Sequence, residues 1–262
     1  MKNKSILLSL LLGFIFPTAF AQNGPHKNGG AFEKKIENNY KNKSIQIIKG
    51  KKYGIWNLDS KTELEKRFFG DYNADVEFFV SPSFEGATGF RLTKDSTETS
   101  YILEVKRVSN YKEASRLAEE KFPSIGIPMA LLNSLPKNIK SLIFDHNSAM
   151  YPKAREEELK LYTIETRSFP VSDRFAEKLY SKMLPSIDDF KAEGRPEGFF
   201  DGYRVTFRCV VGDELRSLHI RMPQGDILAF SDLCRQMIDD AGKGEFDESK
   251  YIKSLKKFTV VL

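Results

Sequence analysis

The sequence lacks the motifs that identify the common enzyme classes. It contains no glycine-rich phosphate loop, no G-x-S-x-G nucleophile motif, and no strand–glycine–helix order of the kind that dinucleotide binding requires. Its three histidines form no H-x-x-x-H or H-E-x-x-H pair, so a zinc hydrolase has no support in the sequence. We therefore predict no cofactor and no metal site, and the sequence leaves the catalytic residues of any activity unknown.

Cysteine is also scarce, because Cys209 and Cys234 are the only two in 262 residues. Cys209 falls on the apolar side of a predicted strand, and Cys234 falls on the apolar stripe of the helix that follows. An exported chain can form disulfides. A bridge between the two residues and a pair of buried thiols are therefore both open, whereas catalytic use is disfavoured because the sequence places no partner group beside either thiol.

Long hydrophobic runs are missing after the first 21 residues. The run from Ile6 to Phe16 follows two lysines and precedes Ala19-Phe20-Ala21, which has the small residues of a signal-peptide cleavage site. The run is too short to span a bilayer, which takes about 20 apolar residues. We predict that residues 1–21 are a signal peptide, that no transmembrane segment remains after cleavage, and that the protein is periplasmic or secreted.

Positive charge is concentrated near the N-terminus. Residues 22–52 carry eight Lys and two Glu, a net charge of +6, whereas the chain from Tyr53 onward has a net charge of −3. This distribution predicts a flexible basic arm over residues 22–52, which is either a solvated leader or a contact for anionic lipid or glycan. The body is not basic, so nucleic acid is not a predicted partner.

Hydrophobic periodicity predicts two β-hairpins, each followed by an amphipathic helix. Phe90–Thr93 and Tyr101–Arg107 alternate apolar and polar residues around a turn, and Asn110 is a suitable cap for the next helix. Tyr203–Val211 and Leu215–Met222 form the second pair, with a helix from about residue 226 to residue 241.

The predicted fold is therefore α+β, with antiparallel β-hairpins and helices packed on one face. The similar order of the two halves indicates two related ββα-containing lobes, an N-terminal lobe over residues 53–152 and a C-terminal lobe over residues 153–262, although a hairpin followed by a helix is also common by chance. Between them, Leu142-Ile143-Phe144 is predicted to be a buried strand.

One three-residue pattern has the form of a nuclease core. Glu104-Val105-Lys106 lies on a predicted strand with Asp95 upstream, and such enzymes bind a divalent metal with two carboxylates and place a lysine beside the developing charge. The alternation of polar and apolar residues along a strand also puts Glu104 and Lys106 on one polar face. Because the nuclease pattern is only three residues long, alternation is the preferred explanation.

Three aromatic residues lie outside any clear apolar stripe. Secreted carbohydrate-binding proteins stack sugars on such side chains. Trp56, Tyr72 and Tyr151 are therefore the candidate ligand-stacking aromatics, although an aromatic that closes a small satellite core is the commoner case.

The Lys-Asn start, the Ala-Phe-Ala-Gln junction and the run Ser81–Gly86 resemble exported proteins of Bacteroidetes-type bacteria, and Leu103–Arg107 with Tyr111–Ala114 is similar to uncharacterised members of that set. The resemblance covers about a fifth of the chain. It implies an envelope or secreted location and no particular activity. Asp-Ser-Thr resembles an O-glycosylation site in that group, which makes Ser96 a candidate for a glycan.

The function expected from these observations is binding. We predict an exported, non-catalytic envelope or secreted protein that binds an unknown protein or glycan partner. The alternative is a secreted hydrolase whose active residues converge only in the fold.

Overall fold

The computed structural model describes residues 62–70, 74–94, 100–188, 190, 202–211 and 214–258. Six strands of this part of the chain form one antiparallel sheet in the order β4-β3-β2-β1-β5-β6. They are β1 (Val76–Pro82), β2 (Thr88–Lys94), β3 (Tyr101–Val108), β4 (Ile164–Val171), β5 (Tyr203–Val211) and β6 (Glu214–Arg221). The predicted α+β class is confirmed, and both predicted hairpins, β2–β3 and β5–β6, belong to this single sheet on either side of β1.

Seven helices lie in the described ranges: α1 (Glu63–Phe69), α2 (Tyr111–Lys121), α3 (Met129–Leu132), α4 (Lys137–Leu161), α5 (Asp173–Asp188), α6 (Gly225–Lys243) and α7 (Glu248–Lys257). Helix α6 ends where Gly244 adopts a left-handed conformation with φ of 79° and donates its N–H to the carbonyls of Asp240 and Ala241. None of the helices described for this chain combines the length and the apolar character that crossing a membrane requires.

The chain divides into two compact units. The described part of one unit is Glu113–Leu161, a helical segment that lies between β3 and β4 in the sequence. The other unit contains the sheet and the remaining described helices. The lobe boundary predicted at residues 152 and 153 falls inside α4, which continues through Pro152.

The main core lies between one face of the sheet and helices α5, α6 and α7. At its centre, Phe78 on β1 is in register with Phe90 on β2 and Phe207 on β5, with ring centroids 5.5 and 5.0 Å away. Phe207 also stacks on Phe230 of α6 at 5.8 Å. The inward residues of each strand alternate with residues that point to the opposite face, and that face positions the polar groups described below.

The predicted strand Leu142-Ile143-Phe144 is wrong, because these residues lie within the 25-residue helix α4. Leu142 and Phe144 are exposed rather than buried. Three consecutive apolar residues fit a buried strand and a helix equally well, and only the length of the surrounding helix decides between them.

Candidate functional site

Charged side chains form a row across the face of the sheet opposite the main core. Glu104 on β3, Arg91 on β2, Glu77 on β1 and Arg208 on β5 are directly in register, so acid and base alternate over four neighbouring strands. Helix α1 lies on this face and adds Glu65 to the row. Opposite charges on facing strand positions stabilise the pairing of strands.

Arg208 is at the centre of a buried ionic cluster. Its side chain is 2% exposed, and it donates hydrogen bonds from Nη1 to Glu77 Oε1 at 2.6 Å and from Nη2 to Glu65 Oε1 at 3.0 Å. Burial would lower the pKa of Arg208, but the two carboxylates raise it above its usual value, so the guanidinium stays charged.

Glu65 links this cluster to the start of α1. Its Oε2 accepts a hydrogen bond from the backbone N–H of Thr62 at 2.8 Å, and its own N–H donates to Thr62 Oγ1, which completes a capping box. Burial alone would raise the pKa of Glu65, but the charge of Arg208 and the hydrogen bonds from Thr62 lower it from 4.5 to about 2. Both carboxylate oxygens therefore have internal partners.

A second ionic group holds the other end of α1 to the sheet. Glu104 accepts from Arg91 Nη2 at 3.2 Å and lies 2.9 Å from Lys106 Nζ. Lys106 Nζ also donates to the carbonyl of Phe68 at 2.7 Å and lies over the ring of Phe69. Glu104 and Lys106 thus contact each other, and Lys106 contacts the helix. Asp95, the upstream carboxylate of the nuclease-like pattern, lies outside the described residues.

Thr206 and His219 form the most enzyme-like pair of the described chain. They are in register on β5 and β6, and Thr206 Oγ1 lies 3.0 Å from His219 Nδ1. Burial and the charges of Arg208 and Arg204 lower the pKa of His219 from 6.5 to about 3, against the opposing effect of Glu65. A hydroxyl beside a neutral imidazole is the arrangement of a nucleophile and its base, but both side chains are buried.

Cys209 and Cys234 are free, buried thiols in the structure, and both belong to the main core. Burial raises the pKa of each thiol well above its usual value. A thiol that stays protonated in an apolar environment is neither a nucleophile nor a metal ligand at neutral pH. Among the described residues, no group of three or more His, Cys, Asp or Glu is placed to hold a metal ion.

Of the aromatic candidates, only Tyr151 lies in the described chain. It is a half-buried residue of α4, and burial is the main cause that raises the pKa of its phenol, against a hydrogen bond from Ser124. Trp56, Tyr72 and the proposed glycan site Ser96 lie outside the described residues, so their predictions remain predictions.

The helical unit carries a second candidate surface, which is apolar. Eight large hydrophobic side chains are exposed in the described residues, and all except Phe84 belong to this unit. Six of them, here called the apolar tip, lie between residues 125 and 144: Ile125, Leu131, Leu132, Ile139, Leu142 and Phe144. Leu142 is 63% exposed and Leu131 is 54% exposed, so these two side chains are largely open to solvent. Exposed apolar patches of this kind mark interaction sites.

The apolar tip is held in place by polar contacts to the middle of α4. The Asn147 side chain accepts from the backbone N–H of Ile125 at 2.7 Å and donates to the carbonyl of the same residue at 3.0 Å. His146 Nε2 donates to the carbonyl of Pro123 at 2.9 Å. These three bonds fix the loop after α2 along α4, so the exposed side chains are presented on an ordered framework.

Sequence reasoning missed both surfaces. Alternation places Arg208 on the polar side of its strand, which is correct, but the partners that bury it come from β1 and α1, and strand order is not visible in the sequence. The apolar tip was missed because Leu142 and Phe144 were assigned to a buried strand. Its signal was the absence of acidic residues from Phe122 to Phe144.

Comparison of the chain with family models, with curated proteins and with solved structures finds no match in any of the three.

Proposed function

We propose that this chain is an exported, non-catalytic protein of the envelope or the extracellular space that acts by binding, and that the helical unit is its contact surface. The observation that carries this proposal is the location of the exposed large apolar side chains, because six of the eight in the described residues belong to the apolar tip, between residues 125 and 144. Apolar side chains that are exposed to solvent lower the free energy of the system when a partner covers them.

The charged groups on the polar face of the sheet also support a non-catalytic role, because they already have internal partners. The acids of the cluster, Glu65, Glu77 and Glu104, all accept from or lie against a cation of the same fold. Carboxylates that already lie against internal cations have less capacity left for a substrate. The cluster is therefore best understood as the attachment of α1 to the sheet.

Export is supported by the first 21 residues. Lys2 and Lys4, the apolar run from Ile6 to Phe16 and the Ala19-Phe20-Ala21 junction have the order of a cleavable signal. Sequencing the N-terminus of protein recovered from the cell envelope tests this part, and Gln22 is the expected first residue. An intact Met1 on soluble cytosolic protein would contradict it.

The binding role is tested by amide hydrogen exchange on the protein purified from the cells that export it. Adding an envelope fraction of those cells should slow exchange in peptides that cover residues 125–144. A Leu142→Ser variant should lose most of this protection, and the matched variant Leu117→Ser, exposed on α2 outside the apolar tip, should keep it. Exchange that the envelope fraction does not slow in residues 125–144 of the wild type would show that the helical unit is not the contact surface.

A hydrolase is the second candidate, and the Thr206–His219 pair is the observation that favours it. Opening of the buried pair would place a hydroxyl and a neutral imidazole at a substrate. A panel of ester, glycoside and peptide substrates tests this candidate with the wild type and with Thr206→Val. Turnover that the Thr206→Val variant loses while remaining folded would establish a hydrolase and displace the binding proposal.

A further inference from the structure

We propose that the apolar tip binds the surface of a bilayer that contains anionic phospholipid. The inference rests on the proposed function, because it names the partner of the same surface. The charges around the apolar tip favour lipid over a protein partner or a second copy of the chain.

The segment from Phe122 to Phe144 carries positive charge only, and the carboxylates of Glu119 and Asp145 lie at its borders. From Phe122 to Phe144 the sequence contains Lys137 and Lys140 and no acidic residue. Apolar side chains next to lysines, with low overall negative charge, are the composition of segments that lie in the interface of an anionic membrane. The acidic residues of α4 begin at Asp145, and most follow much later, at residues 156–158.

The first turns of α4 place these side chains on two opposite faces. Ile139 and Leu142 are three residues apart and share one face of the helix. Lys137, Lys140 and Phe144 are spaced by three and four residues and lie on the other face, because an α-helix turns about 100° per residue. Ile139 and Leu142 can therefore enter the acyl boundary, while the two lysines on the polar side keep their charges at the level of the phosphates.

The length of the exposed apolar segment favours an interfacial position over insertion across the bilayer. Acyl-boundary binding needs only a shallow apolar face, about 5–10 Å deep. Residues 137–144 are about two turns of α4, and a helix that lies in the interface buries only one face to this depth. Leu131 and Leu132 of α3 add two more exposed apolar side chains shortly before α4 begins.

A second copy fits the charges less well. Symmetric pairing of two apolar tips would bring Lys137 and Lys140 of both copies together, and the segment from Phe122 to Phe144 offers no carboxylate to pair with them. An anionic bilayer supplies the missing negative charge and accepts apolar side chains at the same surface.

Co-sedimentation with protein-free vesicles tests the proposal. The purified protein, with its N-terminus determined so that an uncleaved leader is recognised, is mixed with vesicles of phosphatidylcholine alone or of phosphatidylcholine with about 30% phosphatidylglycerol, an anionic fraction chosen to give the negative surface potential that attracts basic segments. We expect binding to the anionic vesicles that is at least about tenfold stronger than binding to neutral ones, since each lysine near the surface contributes about fivefold.

Two variants and two matched controls separate the apolar and the electrostatic contributions. Leu142→Ser should weaken binding about tenfold, and Lys137→Glu combined with Lys140→Glu should abolish the preference for anionic vesicles. Leu117→Ser and Lys153→Glu make the same kinds of change at exposed positions outside the apolar tip, on α2 and α4, and should leave binding unchanged.

Each other result contradicts the proposal in a different way. No vesicle binding, together with exchange protection by the envelope fraction, would identify a protein or glycan partner and leave the proposed function intact. A dimer in sedimentation velocity that Leu142→Ser dissociates would identify a second copy. Absence of both vesicle binding and envelope protection would remove the proposed function as well.

Discussion

Glu77 and Arg208 face each other on adjacent strands β1 and β5, and Arg208 Nη1 donates a 2.6 Å hydrogen bond to Glu77 Oε1 in a site that excludes solvent. The same guanidinium holds Glu65 of α1. One arginine thus connects two strands and a helix on the face of the sheet opposite the main core. Buried ion pairs of this type contribute little net stability when complete but are costly to break, because the remaining partner is left charged and unpaired.

Replacing Arg208 by Met should therefore lower the free energy of unfolding by about 3–5 kcal/mol, because Glu65 and Glu77 lose their shared cation while buried. Denaturant unfolding measures the loss. Arg204→Met, at an exposed position of the same strand, should change stability by less than about 0.5 kcal/mol. The triple variant Glu65→Gln, Glu77→Gln, Arg208→Met should recover most of the loss, and a triple variant no more stable than the single one would contradict this explanation.

The stability of the fold should depend on pH through His219. Its pKa falls from 6.5 to about 3 on folding, so between these values the unfolded chain binds one more proton at this residue than the folded chain. The contribution is complete above pH 6.5 and is lost as the pH falls toward 3, by up to about 1.4 kcal/mol per pH unit. His219→Gln should flatten the pH dependence between pH 6.5 and 4.5.

Glu65 provides the control for that measurement. Its pKa is lowered from 4.5 to about 2, so its stabilising contribution is present above pH 4.5 and lost only as the pH falls below it. A Glu65→Gln variant should therefore keep the slope between pH 6.5 and 4.5 and lose slope at lower pH. A wild-type protein with constant stability from pH 6.5 to 4.5 would show that His219 is not buried in its neutral form.

Gly89 should not tolerate a side chain, although glycine is usually unfavourable within a strand. A Cβ atom at Gly89 would lie 2.7 Å from the carbonyl oxygen of Phe78 and 3.0 Å from the ring of Phe69 on α1. Gly89→Ala should lower the free energy of unfolding by about 1–3 kcal/mol, where relief of glycine entropy alone would raise it by about 0.5–1 kcal/mol. Thermal unfolding measures whether the variant is destabilised or stabilised. A stabilised variant would contradict the close contacts of Gly89 with Phe78 and Phe69.

The two cysteines should react with thiol reagents only after unfolding. Both are buried, and burial raises the pKa of each thiol, so the reactive thiolate is scarce and inaccessible. Alkylation followed by mass spectrometry should give no adduct in native buffer and two adducts in denaturant without reductant. A denatured protein that takes up reagent only after reduction would instead establish a Cys209–Cys234 bridge.

Local patterns predicted much of the fold. Alternation located β2, β3, β5 and β6 to within three residues. The sequence predicts that this helix ends near residue 241, just before Gly242, whereas α6 continues to Lys243 and Gly244 adopts the left-handed conformation. Two nearby glycines satisfy the same sequence rule, and only the backbone hydrogen bonds decide between them.

The candidate surfaces depended on information that no local pattern contains. Arg208 is separated from Glu77 by 131 residues and from Glu65 by 143 residues, so their cluster exists only because β5 pairs with β1 rather than with β4. The apolar tip was hidden for a different reason. Apolar residues are usually buried, so a sequence pattern predicts burial for Leu142 and gives no sign that this side chain lies in solvent.

The position of the helical unit in the chain has an architectural consequence. Strands β3 and β4 pair along their full length up to Val108 and Ile164, and Ser109 N–H donates to the carbonyl of Thr163 at 3.0 Å just beyond them. The segment between β3 and β4 thus leaves and re-enters the sheet at neighbouring positions, as a short turn would. An insertion of this kind can change in length or sequence during evolution while the pairing of β3 with β4 stays in register.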